Sequence, residues 1–282
     1  MNPMILMNIK EIIIDSIKYP FLDWKKILIL GFIVVIYTIP HDMVPINLQN
    51  GFTYPFLIIA LLINCFISGY FFKIIQYSLK DTRELPKFRK WVKLFKNGFK
   101  VTCVSLIYSI PATLPLIILN LPLINYYLYL PDFIIVIIGA IAQIYLQGYA
   151  TWLLQGYATT FFVYMLYCLI IFPISLIAIT NMANNDGKWS YAFKLKAIFD
   201  KIKNIGWIKF YSWYFLASVI SLLVLLIGIA LMFIFSILIH KYLSPKLIDS
   251  LILTPYIYIF FARSLALIYN SGKKWSSEDK NL

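Results

Sequence analysis

The side chain with the clearest chemical potential in this sequence is Arg263, which lies well inside the apolar run "IYIFFARSLALIY". A charged group inside a membrane is costly, so such a residue is a functional candidate by default, for example as a substrate contact. Arg263 is also only six residues from Tyr269, close to the end of the run. From there a long side chain can extend to the membrane surface. The sequence therefore leaves both a functional and a structural role open for Arg263.

Residues that could bind a metal or carry out catalysis form no recognisable set. The two histidines, His41 and His240, both fall near the ends of apolar runs, and no HExxH, GxSxG, P-loop or GxGxxG motif occurs. A metal site needs three or four converging ligands. The three cysteines lie in apolar runs without CxxC spacing, which predicts packing residues. We therefore predict no catalytic residue, no metal and no cofactor, and we expect that the protein is not an enzyme.

The stretch "ELPKFRKWVKLFKNGFK" combines positive charge with aromatic residues at helical spacing. Large aromatics opposite lysines are typical of a helix that lies in the membrane interface. Pro86 suits the first turn of this helix, Gly98 allows a bend into the next span, and Asp81 and Glu84 are predicted to cap its start. The predicted apolar face consists of Phe88, Trp91, Val92, Phe95 and Phe99. The candidate contacts for lipid headgroups or a partner are Lys87, Arg89, Lys90, Lys93 and Lys96.

A second stretch, "KWSYAFKLKAIFDKIKNIGWIKF", echoes the first. Its predicted apolar face consists of Leu195, Ile198, Phe199, Ile202 and Ile205. Its candidate headgroup or partner contacts are Lys194, Lys196, Lys201 and Lys203. Aligning Gly206 with Gly98 gives a weak internal repeat, in which a span is followed by a basic interfacial helix, a glycine–aromatic step and another span. Residues 8–26 are interpreted as a third, degenerate copy of this interfacial helix. Their pattern predicts an amphipathic helix that ends near Pro20.

The elements that position these residues are predicted to lie in a membrane. The chain has 282 residues, of which 61% are hydrophobic and 13% are charged, and its mean hydropathy is +0.81. Soluble domains carry about 25% charged residues. This composition excludes an ordinary soluble domain and predicts an all-α polytopic bundle. Most of the net charge of +13 lies in the two basic segments and the tails, as membrane insertion demands, and it requires no nucleic-acid partner.

Apolar runs predict six full crossings of the membrane. They are, approximately, 27–39, 54–72, 101–119, 157–180, 211–239 and 247–269. The first run is short and must borrow flanking residues such as Trp24. The third is predicted to be kinked or broken around Pro111 and Pro115.

The uncharged stretch between Asp132 and Asp186 is long enough for two crossings, which would make seven in total. Six crossings put 23 of the 25 Lys and Arg residues on one side, whereas seven divide them 15 to 10. The positive-inside rule favours six, with both termini cytoplasmic and with an apolar segment near 133–155 that is re-entrant or peripheral. The duplicated "LQGYAT" in this region is interpreted as a tandem duplication at a helix contact rather than as a functional element.

These predictions describe a single integral membrane domain over residues 1–282. Its basic cytoplasmic interfacial segments are 73–100 and 186–209, and a loose polar tail occupies 272–282. Because the patterned sequence begins at Asn8, Met7 is an alternative start to Met1.

Several stretches resemble a known family. They are "IKYPFLDWKKILILG", "GYFFKIIQYSLKDTRELPKFRKWVKLFKNGFKVTCVSLIYSIP" and "FPISLIAITNMANNDGKWSYAFKLKAI". They are similar to an archaeal multi-pass membrane protein family known only as domain of unknown function 4013, over roughly residues 8–272. The family has no assigned activity, so the resemblance implies the architecture and no catalytic residues. More loosely, the layout is similar to multi-pass domains attached to lipid-processing enzymes.

The leading functional hypothesis is a non-enzymatic protein of the cell membrane that organises the membrane or binds lipids or a partner. Its basic cytoplasmic helices would contact anionic lipid headgroups, and any protein partner is unknown. One alternative is a small-molecule or lipid transporter that uses Arg263 or the proline-interrupted spans. A second alternative is a membrane domain associated with lipid metabolism.

Overall fold

The computed structural model describes residues 7–43, 53–124, 163–238, 247 and 249–272. They form eight helices, α1 Ile9–Lys18, α2 Trp24–Met43, α3 Thr53–Leu79, α4 Trp91–Ile124, α5 Val163–Asn184, α6 Leu195–Ile205, α7 Trp207–Leu238 and α8 Asp249–Ser271. Short 3-10 turns cover Tyr19–Leu22 and Trp189–Phe193, and π-helical turns lie at Tyr167–Ile171 in α5 and Asp249–Leu253 in α8. No strand occurs among these residues, so the predicted all-helical class is confirmed for them.

Four of the described helices are long and apolar enough to cross a membrane. They contain the stretches Ile58–Leu79, Val163–Asn184, Trp207–Leu231 and Asp249–Ser271. In the most apolar 18-residue part of the stretch from α7 only 11% of the residues are buried, although its hydropathy of 2.7 is the highest of the four. An apolar helix that is exposed to this degree needs an apolar environment around it, which lipid supplies.

The chain divides into two compact units, residues 1–102 with 177–282, and residues 103–176. The described part of the second unit consists of the later turns of α4 and the earlier turns of α5. The hydroxyls of Ser109, Thr113 and Ser175 donate to carbonyls of their own helix, for example Thr113 to Ser109 (3.2 Å). α4 remains helical through Pro111 and Pro115, so the predicted break is not present. Membrane helices tolerate proline in this way because neighbouring groups compensate for the lost hydrogen bond.

In the first unit, α8 packs against α1, α2, α3 and α7. Glycines allow the closest helix contacts. A Cβ atom at Gly98 of α4 would overlap the carbonyl oxygen of Cys65 on α3, and one at Gly69 would overlap that of Leu94. Small residues of this kind let membrane helices approach each other closely. Gly98 was predicted to allow a bend, but α4 is continuous through it and the glycine serves packing instead.

The sequence predicted an amphipathic helix within 8–26 that ends near Pro20, and α1 ends at Lys18, just before that proline. Asn8 and Glu11 form a capping box at the start of α1, whose buried residues are Ile12, Ile13 and Ser16. The 3-10 turn that contains Pro20 follows, and Asp23 precedes α2. α2 has 20 residues and includes Trp24, as the short first run required. At 1.5 Å per residue it reaches about 30 Å, the thickness of a hydrocarbon core.

At one end of the first unit lie α1, residues 80–90, residues 185–206, the C-terminus of α8 and the first turns of α2, α4 and α7; we call it the basic end. The hydroxyl of Tyr19 donates to the carbonyl of Glu84 (3.0 Å), and the ammonium of Lys100 donates to the carbonyl of Gly187 (2.7 Å). The hydroxyl of Tyr269 donates to the side-chain oxygen of Asn181 (2.9 Å). Both predicted basic segments therefore lie at the same end of this unit.

Candidate functional site at the basic end

Residues 80–90, which we call the basic loop, connect α3 to α4 without regular helix. The sequence placed Pro86 in the first turn of a helix, but α4 begins at Trp91. Asp81 and Lys90 adopt left-handed backbone conformations, with φ of 59° and 62°, and these interrupt the helical path. Asp81 and Glu84 therefore do not cap α4, which starts well after them.

Six backbone carbonyls of the basic loop accept hydrogen bonds from side chains of the surrounding helices and of the turn after α1. The donors are Arg263 to Thr82 (3.3 Å), Tyr19 to Glu84 (3.0 Å), Lys26 to Leu85 (2.6 Å), Tyr70 to Pro86 (3.0 Å), and Lys73 to Lys87 (2.6 Å) and Arg89 (3.4 Å). Charged donors make these bonds stronger than neutral ones. The loop is thus docked largely through its backbone, which leaves its cationic side chains exposed.

A few loop side chains assist this docking. Leu85 and Pro86 are buried, and the ring of Phe88 stacks on that of Tyr70 at 4.0 Å with an interplanar angle of 10°. Trp91 and Phe95 both contact Phe66 of α3. The quoted stretch that resembles the family includes all of these anchoring positions except Phe66, namely Gly69, Tyr70, Leu85, Pro86, Phe88, Trp91, Leu94, Phe95 and Gly98. The motif therefore describes how the loop and α4 are held on α3.

The predicted apolar face of the first basic segment is only partly buried. Leu94, Gly98 and Val101 make the buried face of early α4. Val92, in contrast, is 70% exposed and Phe99 is also exposed. The aromatic pattern thus contributes both to contacts with α3 and to an outward apolar surface.

The first turns of α4 carry an open groove on the surface of the basic end. Lys90, Lys93, Lys96, Asn97 and Lys100 line it, flanked by Trp91 and Val92; we call it the cationic groove. The ion pairs within the described residues are Lys26–Asp23 and Arg263–Asp15. Lys90, Lys93 and Lys96 therefore have no acidic partner there, and all three are exposed. Lys87 and Arg89 are exposed on the adjoining loop.

The second basic segment forms the separate helix α6. Its buried side chains are Ile198, Ile202 and Ile205, while Leu195 and Phe199 are exposed. Gly206 ends the helix with φ of 93°, a conformation that other residues rarely adopt, and α7 begins at Trp207. Gly206 and Gly98 thus occupy different structural positions, and the predicted repeat does not extend to the fold.

The four candidate lysines of the second segment fall into two pairs. The ammonium of Lys194 lies 3.9 Å from the ring centre of Tyr191, and that of Lys201 lies 4.3 Å from the ring centre of Tyr269. Such cation–π contacts hold the two side chains against the protein. Lys196 and Lys203 are exposed, so they have more freedom to meet an external anion.

Arg263 lies inside the first unit with only 2% of its surface exposed. Its Nε donates to Asp15 Oδ2 at 2.8 Å, and its guanidinium carbon lies 4.8 Å from the ring centre of Tyr19. Burial raises the pKa of Tyr19, and the neighbouring guanidinium partly opposes that rise. With its bond to Thr82, Arg263 connects α8, α1 and the basic loop. The sequence did not identify Asp15 as its partner, since 248 residues separate them.

Within the described residues no group of three His, Cys, Asp or Glu side chains converges on a point that could hold a metal. Among the described residues, Cys65, Cys103 and Cys168 form no disulfide. The predicted segment near 133–155, the duplicated "LQGYAT", His240 and the tail beyond Gly272 lie outside the described residues.

No curated protein and no solved structure matches the chain. The profile of one family, described as Protein of unknown function (DUF4013), matches residues 54–233. This match covers more than half of the chain and includes the basic loop, the cationic groove and α6. The chain therefore belongs to the DUF4013 family.

Proposed function

We propose that this protein is a non-enzymatic integral membrane protein that binds anionic lipid headgroups at its basic end and thereby organises the surrounding membrane. The observation that carries the proposal is the cationic groove, where Lys90, Lys93 and Lys96 are exposed without an acidic partner among the described residues. Their mutual repulsion favours an anion from outside the protein. Beside an anionic leaflet each basic residue contributes about 1 kcal/mol of attraction, which salt weakens.

We further propose that α2, α3, α4, α5, α7 and α8 cross the membrane and that the basic end faces the cytoplasm of the cell. The contact of Lys100 with Gly187 supports an even number of crossings between the two basic segments. The positive-inside rule then assigns this end, with both termini, to the cytoplasm. On this topology α1 and α6 are amphipathic helices at the interface.

Exposed aromatic residues support the same placement. The tryptophans exposed at the basic end are Trp24, Trp91, Trp189 and Trp207. Tryptophan is enriched where a membrane meets water because its ring is apolar and its N–H is polar. These side chains would place the basic end at the level of the headgroups, where the exposed lysines can reach phosphate oxygens.

Native mass spectrometry of the protein in uncharged detergent tests the proposal by counting bound lipids. We expect wild type to retain phosphatidylglycerol over phosphatidylcholine, and the triple variant Arg89→Glu, Lys90→Glu, Lys93→Glu to lose most of this preference. The matched control Lys10→Glu, Lys18→Glu, Lys25→Glu makes the same charge change at exposed positions outside the basic loop and the groove, and it should keep the preference. If the variant of Arg89, Lys90 and Lys93 binds phosphatidylglycerol as tightly as wild type does, the proposal is wrong.

No specific observation in the described residues favours either alternative function. The transporter hypothesis depended on Arg263 or on the proline-interrupted spans. Arg263 is paired with the partly exposed Asp15, and α4 is continuous through Pro111 and Pro115. A role in lipid metabolism depended on analogy of layout alone. Headgroup binding is therefore the function that the geometry supports best.

A further inference from the structure

We infer that the cationic groove prefers lipids whose headgroup ends in a phosphate monoester over lipids with a phosphodiester. This inference rests on the proposed headgroup binding and specifies its ligand class. It follows from the number and spacing of the cations in the groove, from the apolar surface beside them and from the backbone of Lys90.

The groove concentrates more positive charge than a single negative charge can neutralise. Lys90, Lys93, Lys96 and Lys100 follow one another at intervals of three or four residues and therefore lie on one side of the chain. Lys90, Lys93 and Lys96 are exposed, while the ammonium of Lys100 also donates to the carbonyl of Gly187. The amide of Asn97 lies among them as a further donor. A phosphate monoester has a charge of about −1.5 to −2 at neutral pH and three terminal oxygens. A phosphodiester has one charge and two such oxygens, so it satisfies fewer of these donors.

The type of cation fits the same ligand. All four cations of the groove are lysines, whose compact ammonium groups each present three donors on a flexible stem. Several such groups can surround a terminal phosphate from different directions. An arginine fork, in contrast, is suited to two oxygens in one plane.

A lipid is a better occupant than a free phosphate because of what adjoins the groove. Trp91 is 49% exposed and Val92 is 70% exposed, and both flank the lysines. On the proposed topology α4 continues from here into the membrane. A headgroup in the groove would then place its acyl chains against α4, with the exposed ring of Phe99 beside them.

The backbone of Lys90 is consistent with this assignment. Its φ of 62° is rare for residues other than glycine, asparagine and aspartate, and lysine has no side-chain acceptor with which to stabilise it locally. Strain of this kind tends to persist at functional sites. A glycine or asparagine would fit the conformation better, so a lysine at this position is best explained by its charge.

Competition between lipids with matched acyl chains tests the inference. We would measure the binding of phosphatidic acid, phosphatidylglycerol and phosphatidylcholine to the full chain by native mass spectrometry at pH 7.5. We expect phosphatidic acid to bind about tenfold more tightly than phosphatidylglycerol, because its second charge adds an attraction to each neighbouring ammonium. The variant Lys93→Gln, Lys96→Gln should bring the two affinities to within about twofold.

The control variant Lys10→Gln, Lys18→Gln removes two exposed lysines of α1, outside the candidate contacts, and should leave the preference unchanged. Equal affinities for phosphatidic acid and phosphatidylglycerol in wild type would overturn this inference and leave the proposed function intact. If phosphatidic acid and phosphatidylglycerol both bound with the affinity of phosphatidylcholine, this inference and the proposed function would both be overturned. Displacement of phosphatidic acid by inorganic phosphate at equal concentration would contradict the assignment to a lipid.

Discussion

The basic loop and α6 both carry exposed lysines at the same end of the first unit, yet different parts of the chain attach them. The basic loop is held by six of its carbonyl groups, which accept hydrogen bonds from side chains such as Tyr70 and Lys73. α6 satisfies its own backbone and is attached through the buried side chains of Ile198, Ile202 and Ile205.

This difference determines which cations are free. In the basic loop the polar backbone faces the bundle, so the lysine and arginine side chains are left outside. In α6 the side chains make the attachment, and two of its four candidate lysines, Lys194 and Lys201, lie against aromatic rings. We therefore expect the first segment, rather than α6, to dominate binding of anionic lipids.

The largest effect that we predict concerns the ion pair that holds the loop and α1 on α8. Asp15→Ala leaves the guanidinium of Arg263 buried without its counter-ion, which costs about 3 kcal/mol or more of unfolding free energy. Thermal unfolding in detergent micelles, followed by circular dichroism, measures the loss. Asp200→Ala removes an exposed acid of α6 and is the control, with a change of about 0.5 kcal/mol or less. Equal shifts in Tm for the two variants would show that the ion pair of Arg263 does not stabilise the fold.

The next largest effects are expected at Gly98 and Gly206, the glycines of the two basic segments. Gly98→Ala forces its Cβ against the carbonyl of Cys65, so α3 and α4 must separate at a cost of about 3 kcal/mol. In Gly206→Ala the new Cβ meets only Lys209 Cβ, at an ordinary contact distance of 3.9 Å, so the substitution costs only the strain of a positive φ, about 1–2 kcal/mol. Chemical denaturation of both variants measures the difference. If both glycines tolerated alanine equally well, the close packing of α3 and α4 would be in doubt.

Removing a single loop anchor should have a smaller effect. Tyr70→Phe keeps the stack on Phe88 but deletes the donor to the carbonyl of Pro86, which costs about 1–2 kcal/mol. We expect a spin label at Arg89 to become more mobile in this variant. Tyr77→Phe, at an exposed position on the same helix, is the control and should leave the label unchanged. Unchanged mobility in Tyr70→Phe would show that the loop does not depend on this bond.

The smallest effect is expected at the start of α2. Asp23 accepts from the backbone N–H of Lys26 (3.3 Å) and pairs with its ammonium (2.9 Å), and these bonds hold the pKa of Asp23 below its ordinary value near 3.8. Asp23→Ala should cost about 1 kcal/mol at pH 7. Because the folded-state pKa is lowered, the charged pair stabilises above the unfolded pKa, and this contribution is lost as pH falls through the folded value.

The gap in stability between wild type and Asp23→Ala should therefore narrow below about pH 4. Thermal unfolding at pH 7 and pH 3 measures it. A gap of the same size at both values would mean that the carboxylate charge is not involved.

The helices were predictable where their own residues carry the information. Apolar positions at helical spacing predicted α1 and α6, and uncharged runs predicted the long helices, since the period of a helix can be read from its residues. The start of α4 could not be predicted in this way. Phe88 fits the helical period of Trp91 and Phe95, but Phe88 belongs to a loop whose carbonyls are bound by donors on other helices, such as Tyr70. Periodicity describes side chains and contains nothing about those distant donors.

The same limit applies to the candidate site. The cluster of lysines in the cationic groove was visible as charge at helical spacing. The partner of Arg263 was not, because Asp15 lies on the first helix and nothing near either residue indicates the contact. The different roles of Gly98 and Gly206 were also hidden, since one depends on a neighbouring helix and the other on a backbone angle.

Site-directed labelling tests whether both basic segments face the same side of the membrane, as we propose. Single cysteines would replace Lys90 and, separately, Lys203, both exposed, in a background without Cys65, Cys103 and Cys168. A membrane-impermeant maleimide would then be applied to sealed vesicles of each orientation. We predict that both positions react only from the cytoplasmic face. Reaction of the two positions from opposite faces would contradict the shared basic end and the six-crossing topology.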